Sequence, residues 1–138
     1  MFDDPRSAAW TPLLEAAWKA RGNAHAPYSH FQVGAALLTA TGEVVGGCNV
    51  ENAAYPVTLC AERGALSAAV AAGLRPGGLV AAVVVTEAPR LTPPCGACRQ
   101  ALAEFAERLP ILLANRETRE LHRIEDLLPH SFTGSHFR

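Results

Sequence analysis

Residues 79–115 read LVAAVVVTEAPRLTPPCGACRQALAEFAERLPILLAN, and this stretch decides the fold class. The apolar run at 79–86 is typical of a buried strand, and the shorter run at 111–115 is typical of a second one. Between them, residues 96–108 have the pattern of a helix. A helix that links two buried strands is the usual crossover of a parallel pair, and it covers one face of the sheet. The stretch therefore predicts an α/β fold.

The chain before this stretch predicts two further helices and a hairpin. Thr11 precedes a proline and is expected to be the N-cap of a helix over 12–21, whose apolar residues recur at helical spacing. Two apolar runs at 31–40 and 43–50 are separated by a Thr-Gly pair, which predicts antiparallel strands. The alanine-rich segment at about 58–72 is followed by glycine and predicts the second helix.

The end of the chain is less regular. A short helix is expected around 125–128, whereas the polar residues 116–124 fit either a loop or a short edge strand. The order αββαβαβ predicts a three-layer α/β/α fold with a mixed central sheet of about five strands. A length of 138 residues suits one domain, so we expect a single domain over 1–138.

Composition narrows the classes of partner. The 12 basic residues are scattered among 13 acidic ones and form no stripe, which disfavours a nucleic-acid polymer and favours a small uncharged substrate. The longest clearly apolar stretch, residues 79–85, is far shorter than the roughly 20 residues that cross a bilayer. The first residues, MFDD, do not resemble a secretory signal. A cytoplasmic protein without a membrane partner is expected.

The four cysteines point to a metal. Cys95 and Cys98 form a CxxC unit, and Cys60 and Cys95 both fall at predicted helix starts, where free amides favour the thiolate form that a metal requires. Three thiolates, Cys60, Cys95 and Cys98, would leave the fourth position of a tetrahedral Zn²⁺ ion open for water. Cys48 as a fourth ligand would instead give a closed structural site.

Glu62 stands two residues after Cys60, in the first turn of the same predicted helix. Its carboxylate can therefore reach a water molecule on the metal without being a ligand itself, which is the position of a proton shuttle. Taken alone, such a residue would more often be a solvated charge that interacts with the helix dipole. The spacing from Cys60 favours the catalytic role.

Five segments form a characteristic set of motifs, namely APYS at 26–29, FQVGAAL at 31–37, GCNVENAAYP at 47–56, CAER at 60–63 and PCGACRQ at 94–100. In this order and spacing they resemble the cytidine deaminase family, in its short form with three cysteine ligands. The resemblance extends over about residues 12–132.

The resemblance implies a set of substrate contacts. Asn49 and Glu51 would hydrogen-bond the ribose 3′-hydroxyl, and Phe31 would form an aromatic wall for the base. Ala53 and Tyr55 would approach the ribose 5′-hydroxyl, and the Ala61 amide would donate to the base O2. Taken without the family, Asn49 and Glu51 could simply form a turn, and Phe31 and Tyr55 could be core residues.

The resemblance also implies one Zn²⁺ per subunit and a homotetramer. Tyr55 and Phe132 are the residues expected between subunits, the latter within the C-terminal LLPHSF motif at 127–132. Gln100 is expected in the surroundings of the site. Arg63 follows Glu62 directly and is expected to hydrogen-bond the ligand sulfurs and offset their excess negative charge.

The function expected from these features is hydrolytic deamination of cytidine, and of deoxycytidine, to the uracil nucleosides and ammonia, as in pyrimidine salvage. Glu62 would move a proton from water to N3 of the base and later to the departing amine. The alternatives are a non-catalytic zinc module that binds a partner, and a related deaminase acting on a nucleoside-like antibiotic or a polynucleotide base. Sugar recognition by Asn49 and Glu51 favours the nucleoside.

Overall fold

A five-stranded mixed sheet organises the fold in the computed structural model, which describes residues 1–137. Its strand order is β2-β1-β3-β4-β5, and the β3–β4 pair is parallel whereas the others are antiparallel. The α/β class and the mixed sheet are thereby confirmed. In chain order the elements are α1 (Thr11–Arg21), β1 (Gly34–Thr39), β2 (Val44–Cys48), α2 (Ala61–Ala71), β3 (Leu79–Val85), α3 (Gly96–Ala103), β4 (Pro110–Ala114), β5 (Arg119–Arg123) and α4 (Ile124–Leu127).

Helices cover both faces of the sheet. Consecutive residues of a strand point to opposite faces, so neighbours in the sequence pack against different helices. Val83 packs in a cluster with the apolar residues of α1, and its neighbour Val84 packs with those of α2 and α3. Leu112 and Leu113 of β4 divide in the same way. The chain therefore has the three layers expected from the sequence. None of the helices within 1–137 is long and apolar enough to cross a membrane.

The β1–β2 hairpin is confirmed, with strands shorter than the apolar runs. Gly34 pairs with Cys48 at one end and Leu38 pairs with Val44 at the other. Gly42 in the turn has φ +89°, a conformation that glycine adopts without steric cost. The end of the hairpin at Cys48 lies beside the first turns of α2, the helix that begins after Cys60 and carries Glu62.

Helix boundaries differ from the sequence predictions for non-local reasons. α2 begins at Ala61 instead of about 58, because Leu59 and Val50 exchange backbone hydrogen bonds of 2.9 Å in an isolated bridge. Thr11 is not the N-cap of α1. That position is held by Trp10, which ends a 3-10 turn whose own cap is Ser7.

In the second half of the chain, the bounds of two helices are corrected and the open segment is found to contain a strand. α3 ends at Ala103 instead of 108, and the tight bond from Phe105 N–H to the Leu102 carbonyl, 3.0 Å, closes its last turn. The open segment 116–124 contains the edge strand β5, which pairs with β4 in spite of its polar sequence. The final short helix, expected at 125–128, lies one residue earlier.

Gly47 sets how closely α2 approaches the sheet. A Cβ at this position would lie 2.4 Å from the Ala65 nitrogen and 2.6 Å from the Ala61 carbonyl oxygen, both of which are backbone atoms that cannot rotate away. Gly47→Ala is therefore expected to destabilise the protein by about 1–3 kcal/mol, the usual cost of overpacking. Urea unfolding would measure this loss. Gly64→Ala, in α2, where the added Cβ would have its nearest contact at 3.4 Å, is the control, and equal midpoints for the two variants would contradict the steric explanation.

Candidate active site

The three predicted zinc ligands come together at the first turns of two helices. Cys60 is the N-cap of α2 and Cys95 is the N-cap of α3, so both thiols lie beside unpaired helix amides. Cys98 follows within the first turn of α3 and is fully buried. The Sγ atoms of the three cysteines all lie within 4.8 Å of one another, and those of Cys60 and Cys95 are 3.8 Å apart.

This spacing fits a zinc ion. Zinc–sulfur bonds of about 2.3 Å in a tetrahedron place their sulfurs about 3.8 Å apart, which agrees with the distance from Cys60 to Cys95. Cys48 lies outside this group and pairs with Gly34 across the hairpin. Within residues 1–137 the cluster therefore offers three sulfurs, and it can bind one zinc ion with a position left open.

The environments of the thiols differ. Burial is the largest single influence on Cys95 and acts to raise its pKa, but hydrogen bonds from the Cys98 and Ala97 amides and from neighbouring thiols lower the pKa overall. For Cys98, burial and the nearby charges of Glu62 and Cys60 raise the pKa. A metal that binds all three sulfurs as thiolates must therefore displace protons, most strongly from Cys98.

Glu62 projects from the first turn of α2 and is only 5% exposed. Burial raises the pKa of its carboxyl above the ordinary value, against the opposing influence of hydrogen bonds and of the Arg63 charge. It borders a cavity of about 240 Å³. The other residues that line this cavity are Ser29, Phe31, Val33, Asn49, Glu51, Thr58, Leu59, Cys60, Ala61, Val84, Thr92, Pro93 and Cys95.

Arg63 faces the ligand sulfurs. Its Nη2 donates to the Cys60 Sγ over 3.4 Å, and hydrogen bonds to Cys60 and then to Cys98 raise the pKa of the guanidinium. The buried Nε finds no hydrogen-bond partner within residues 1–137. The guanidinium is therefore placed to stabilise thiolates, because a hydrogen bond to a charged acceptor is stronger than one to a neutral acceptor.

Substitution of Arg63 tests this arrangement. Arg63→Gln removes the positive charge beside the sulfurs, and we expect zinc affinity or activity to fall by about 10–100-fold, as for other groups that support metal ligands. Zinc retention under a chelator and steady-state turnover would measure the loss, with Arg63→Lys as the charge-conserving comparison. Unchanged zinc retention together with unchanged turnover would remove Arg63 from the site.

Asn49 holds the loop that carries Phe31. Its Oδ1 accepts from the Val33 amide over 2.9 Å, and its Nδ2 donates to the Phe31 carbonyl over 2.8 Å. The side chain is buried and borders the cavity. Because an amide has two donors and two acceptor sites, each end retains one that a substrate hydroxyl could use.

Glu51 holds the same loop from its other end. The carboxylate accepts from the backbone amides of Tyr28 and Ser29, at 3.0 and 3.1 Å, and from the Ser29 hydroxyl. The hydrogen bond from that hydroxyl is the main cause of a lowered pKa for Glu51. Asn49 and Glu51 thus organise residues 28–33, a structural role that the sequence did not indicate because the partners are 16 to 23 residues away.

Comparison with known proteins identifies the family. The profile of the cytidine and deoxycytidylate deaminase zinc-binding region matches residues 10–113. The chain belongs to the cytidine and deoxycytidylate deaminase family. A cytidine deaminase of Halalkalibacterium halodurans is 46% identical over 125 residues, which are 88% of this chain and 92% of that protein. The crystal structure of a cytidine deaminase from Burkholderia pseudomallei, 49% identical, superposes with a TM-score of 0.84 over 88% of this chain and 98% of that one.

A second solved structure, the cytidine deaminase of Mycobacterium tuberculosis, is 41% identical and has a TM-score of 0.77, covering 91% of this chain and 98% of that one. The predicted resemblance to the deaminase family and the predicted zinc cofactor are both confirmed, since the family's zinc-binding region contains the cysteine cluster. The names of the homologues indicate that those proteins act on a small molecule, and in this chain the cavity beside Glu62 is a site that could bind one.

Among the other substrate contacts implied by the deaminase family, Ala61 is buried in the cavity wall at the start of α2. Ala53 and Tyr55 are exposed and lie outside the residues that line the cavity. Tyr55, 71% exposed, packs edge-on against the ring of Tyr28 with centroids 6.0 Å apart. Their roles stay predictions.

The C-terminal segment lies against α3. The Gln100 Nε2 donates to the Phe132 carbonyl over 2.8 Å, so this side chain holds the segment near the helix that carries Cys98. Phe132 is 58% exposed and stacks on His136.

Several cavity residues were not singled out from the sequence, namely Ser29, Val33, Thr58, Leu59, Val84, Thr92 and Pro93. Of these, Ser29 and Val33 belong to quoted motifs, and Pro93 lies just before one.

Proposed function

We propose that this protein catalyses the hydrolytic deamination of cytidine and deoxycytidine to uridine and deoxyuridine, with release of ammonia. One observation carries the proposal: the buried carboxylate of Glu62 shares a cavity with the thiols of Cys60 and Cys95 and with the ring of Phe31. A proton-transfer group, a metal site and an aromatic wall are the parts that deamination of a planar base requires.

Zinc held by Cys60, Cys95 and Cys98 would acidify a water molecule and so supply the nucleophile at neutral pH. Glu62 takes a proton from the attacking water and delivers it to N3 of the base, which makes C4 more electrophilic. The same carboxyl then passes a proton to the departing amine, so that ammonia leaves and the carbonyl forms. The raised pKa of Glu62 suits this alternation, because burial makes its protonated form accessible nearer to neutral pH.

Recognition of the nucleoside is assigned to the loop and the helix start that border the cavity. Phe31 packs against the base, the Ala61 amide donates to O2, and Asn49 with Glu51 bonds the ribose 3′-hydroxyl. Ala53 and Tyr55 approach the 5′-hydroxyl. The carboxylate of Glu51, whose pKa is lowered, stays ionised and can accept a hydrogen bond from a hydroxyl. The net charge of −1 gives no reason to expect a polynucleotide as substrate.

An ammonia-release assay with cytidine, deoxycytidine, adenosine and cytosine tests this proposal. We expect turnover of the two cytosine nucleosides and weak activity on cytosine, because the free base leaves the sugar-binding groups unpaired. Equal turnover of cytosine and cytidine would contradict sugar recognition. Failure to release ammonia from either nucleoside, with zinc bound, would contradict the proposed function and favour a non-catalytic zinc module.

We further propose a homotetramer in which subunits complete one another's sites. The support is a cluster of exposed apolar side chains on the loops beside the cavity, of which Tyr28, Tyr55 and Val57 are examples. Phe132 is a further exposed aromatic, held in place through Gln100. Exposed aromatics of this kind are frequent anchors of protein interfaces.

Alanine at these anchors is expected to loosen assembly and activity together. Tyr55→Ala and Phe132→Ala should each shift the population from tetramer towards smaller species, and lower turnover in parallel, because each removes a buried anchor from the contact. Light scattering and activity at several protein concentrations would measure both. Glu43→Ala, in the hairpin turn at the opposite end of β2, is the control. A fully active wild-type monomer would contradict this assembly.

We also propose that residues 1–138 act as one domain in the cytoplasm. Two core clusters lie on opposite faces of one sheet, which supports a single folding unit, although Arg138 is outside the described residues. The cysteines are free thiols, and a site that needs thiolates suits a reducing compartment.

A further inference from the structure

Cys95 is the least enclosed of the three ligand cysteines. It ends the segment 86–95, which contains neither helix nor strand, and its residue is exposed whereas Cys98 is fully buried. Thr92 and Pro93, in the same segment, border the cavity. Because packing encloses Cys95 only weakly, the position of its thiol depends on the hydrogen bonds that fix the neighbouring backbone.

Arg99 bonds both peptide groups that flank the Cys95 Cα atom. Its backbone N–H donates to the Cys95 carbonyl over 2.9 Å, which is the first bond of α3. Its half-buried side chain folds back, and the Nε donates to the Pro94 carbonyl over 2.8 Å. Since that carbonyl belongs to the peptide unit ending in the Cys95 nitrogen, the guanidinium sets the direction in which the chain enters Cys95.

The same guanidinium holds the C-terminal part of the chain. Its Nη1 donates to the carbonyl of Leu127, the last residue of α4, over 2.9 Å. A guanidinium is a rigid planar fork, so the Pro94 and Leu127 carbonyls are held at a fixed separation. The next residue, Gln100, holds the Phe132 carbonyl. Two consecutive residues of α3 thus join the C-terminal segment to the helix that begins at Cys95.

We infer that Arg99 is a positioning residue for Cys95, and that through it the seating of the C-terminal segment is coupled to zinc binding. The inference rests on the zinc site proposed above. Without the guanidinium, the peptide unit before Cys95 can rotate, and its thiol spends less time at the spacing from Cys60 that fits zinc. Loss of a group that orients a metal ligand typically costs about 10–100-fold in affinity, and an indirect backbone effect belongs near the lower limit.

The rate at which zinc is lost to a chromophoric chelator tests the positioning role. Arg99→Met keeps the apolar stem without the donors, and we expect it to lose zinc about 10-fold faster than wild type. Arg75→Met is the matched control, since Arg75 also donates to two carbonyls, Val70 and Leu74, but near the opposite end of α2. It should retain zinc like wild type. Arg99→Lys, which can reach one carbonyl but not both, should lie between.

Coupling is reciprocal, so removing zinc from the wild-type protein should also loosen the C-terminal segment. Limited proteolysis should then cleave within residues 128–137 faster in the zinc-free form, and Arg99→Met should show this faster cleavage even with zinc bound. Equal cleavage with and without zinc would overturn the coupling.

The outcomes separate this inference from the proposed function. If wild type holds stoichiometric zinc and releases ammonia while Arg99→Met retains zinc equally well, the positioning role alone is wrong. Equal acceleration in the Arg99 and Arg75 variants would also overturn it, because the effect would then be general. Should Arg99→Met fail to fold, zinc loss from Arg99→Lys at the wild-type rate is the contradicting result. A wild-type protein without zinc would overturn both proposals.

Discussion

Replacing Glu62 with alanine is expected to abolish nearly all turnover while the protein keeps its fold and its zinc. A positioned general acid or base usually contributes about 10²–10⁴-fold in rate, and in the proposed mechanism Glu62 carries out several successive proton transfers, so the loss should be at or beyond the upper limit. The three sulfurs proposed to bind zinc belong to other residues, so stoichiometric metal should remain. Single-turnover and steady-state rates, with zinc analysis on the same preparation, would measure this.

Glu62→Gln is the sharper companion variant, because it retains the volume and hydrogen-bonding shape of the side chain but cannot carry the proton. It should be nearly as inactive as the alanine variant, and nucleoside binding should suffer less than turnover in both. Retention of more than about a tenth of wild-type turnover with full zinc would refute the proton-shuttle assignment, because that loss is smaller than the usual general acid–base contribution.

Glu62 could be singled out from the sequence only through its neighbours, because the sequence does not show that its side chain is buried. An acidic residue in the first turn of a helix is usually solvated, and the spacing from Cys60 was the one local signal for another role. In the structure Glu62 is only 5% exposed, and this burial raises the pKa of its carboxyl. Burial of this kind is a tertiary property.

Local patterns predicted the fold well where a strand is buried on both faces. The sequences of β3 and β4 are short continuous apolar runs of strand length, and both strands were placed within one residue at either end. The two helix starts at Cys60 and Cys95 brought the thiols together as expected. Each of these features depends mainly on residues close in sequence.

Features set by distant partners were left open or missed. β5 is a strand because β4 offers a free edge to pair with, and its own sequence RELHR has no strand-like apolar alternation. The true start of α2 depends on Leu59 pairing with Val50. Likewise, Asn49 and Glu51 were assigned to the ribose from the family resemblance alone. Their hydrogen bonds to residues 28–33 became visible only when the loop and the strand end were placed together.

Cys95→Ala should lose both zinc and activity, in contrast to the Glu62 variants. With one thiolate gone, two sulfur ligands remain. Loss of a group that only supports a ligand typically lowers metal affinity by about 10–100-fold, and loss of a ligand itself should lower zinc affinity by more. Turnover should fall to the level of the zinc-free enzyme. Zinc analysis after gel filtration, and activity with and without added zinc, would measure these losses.

Stability should fall as well, because a ligand bound only by the folded state stabilises that state by mass action. At a free zinc concentration 100 times the dissociation constant, this contribution is about 2.7 kcal/mol, and it disappears when the site is lost. Unlike a small zinc finger, the chain should remain folded without the metal, since two apolar clusters on the sheet faces form its core independently of the thiols.

Cys48→Ala is the matched control, since it removes a thiol of the same chemistry that lies outside the ligand group. It should keep zinc, turnover and the zinc-dependent increase in melting temperature. If Cys48→Ala lost zinc to the same extent as Cys95→Ala, a closed four-cysteine site would replace the open one. Such a closed site has no open position for water, and the three-thiolate assignment on which the deaminase mechanism depends would then be wrong.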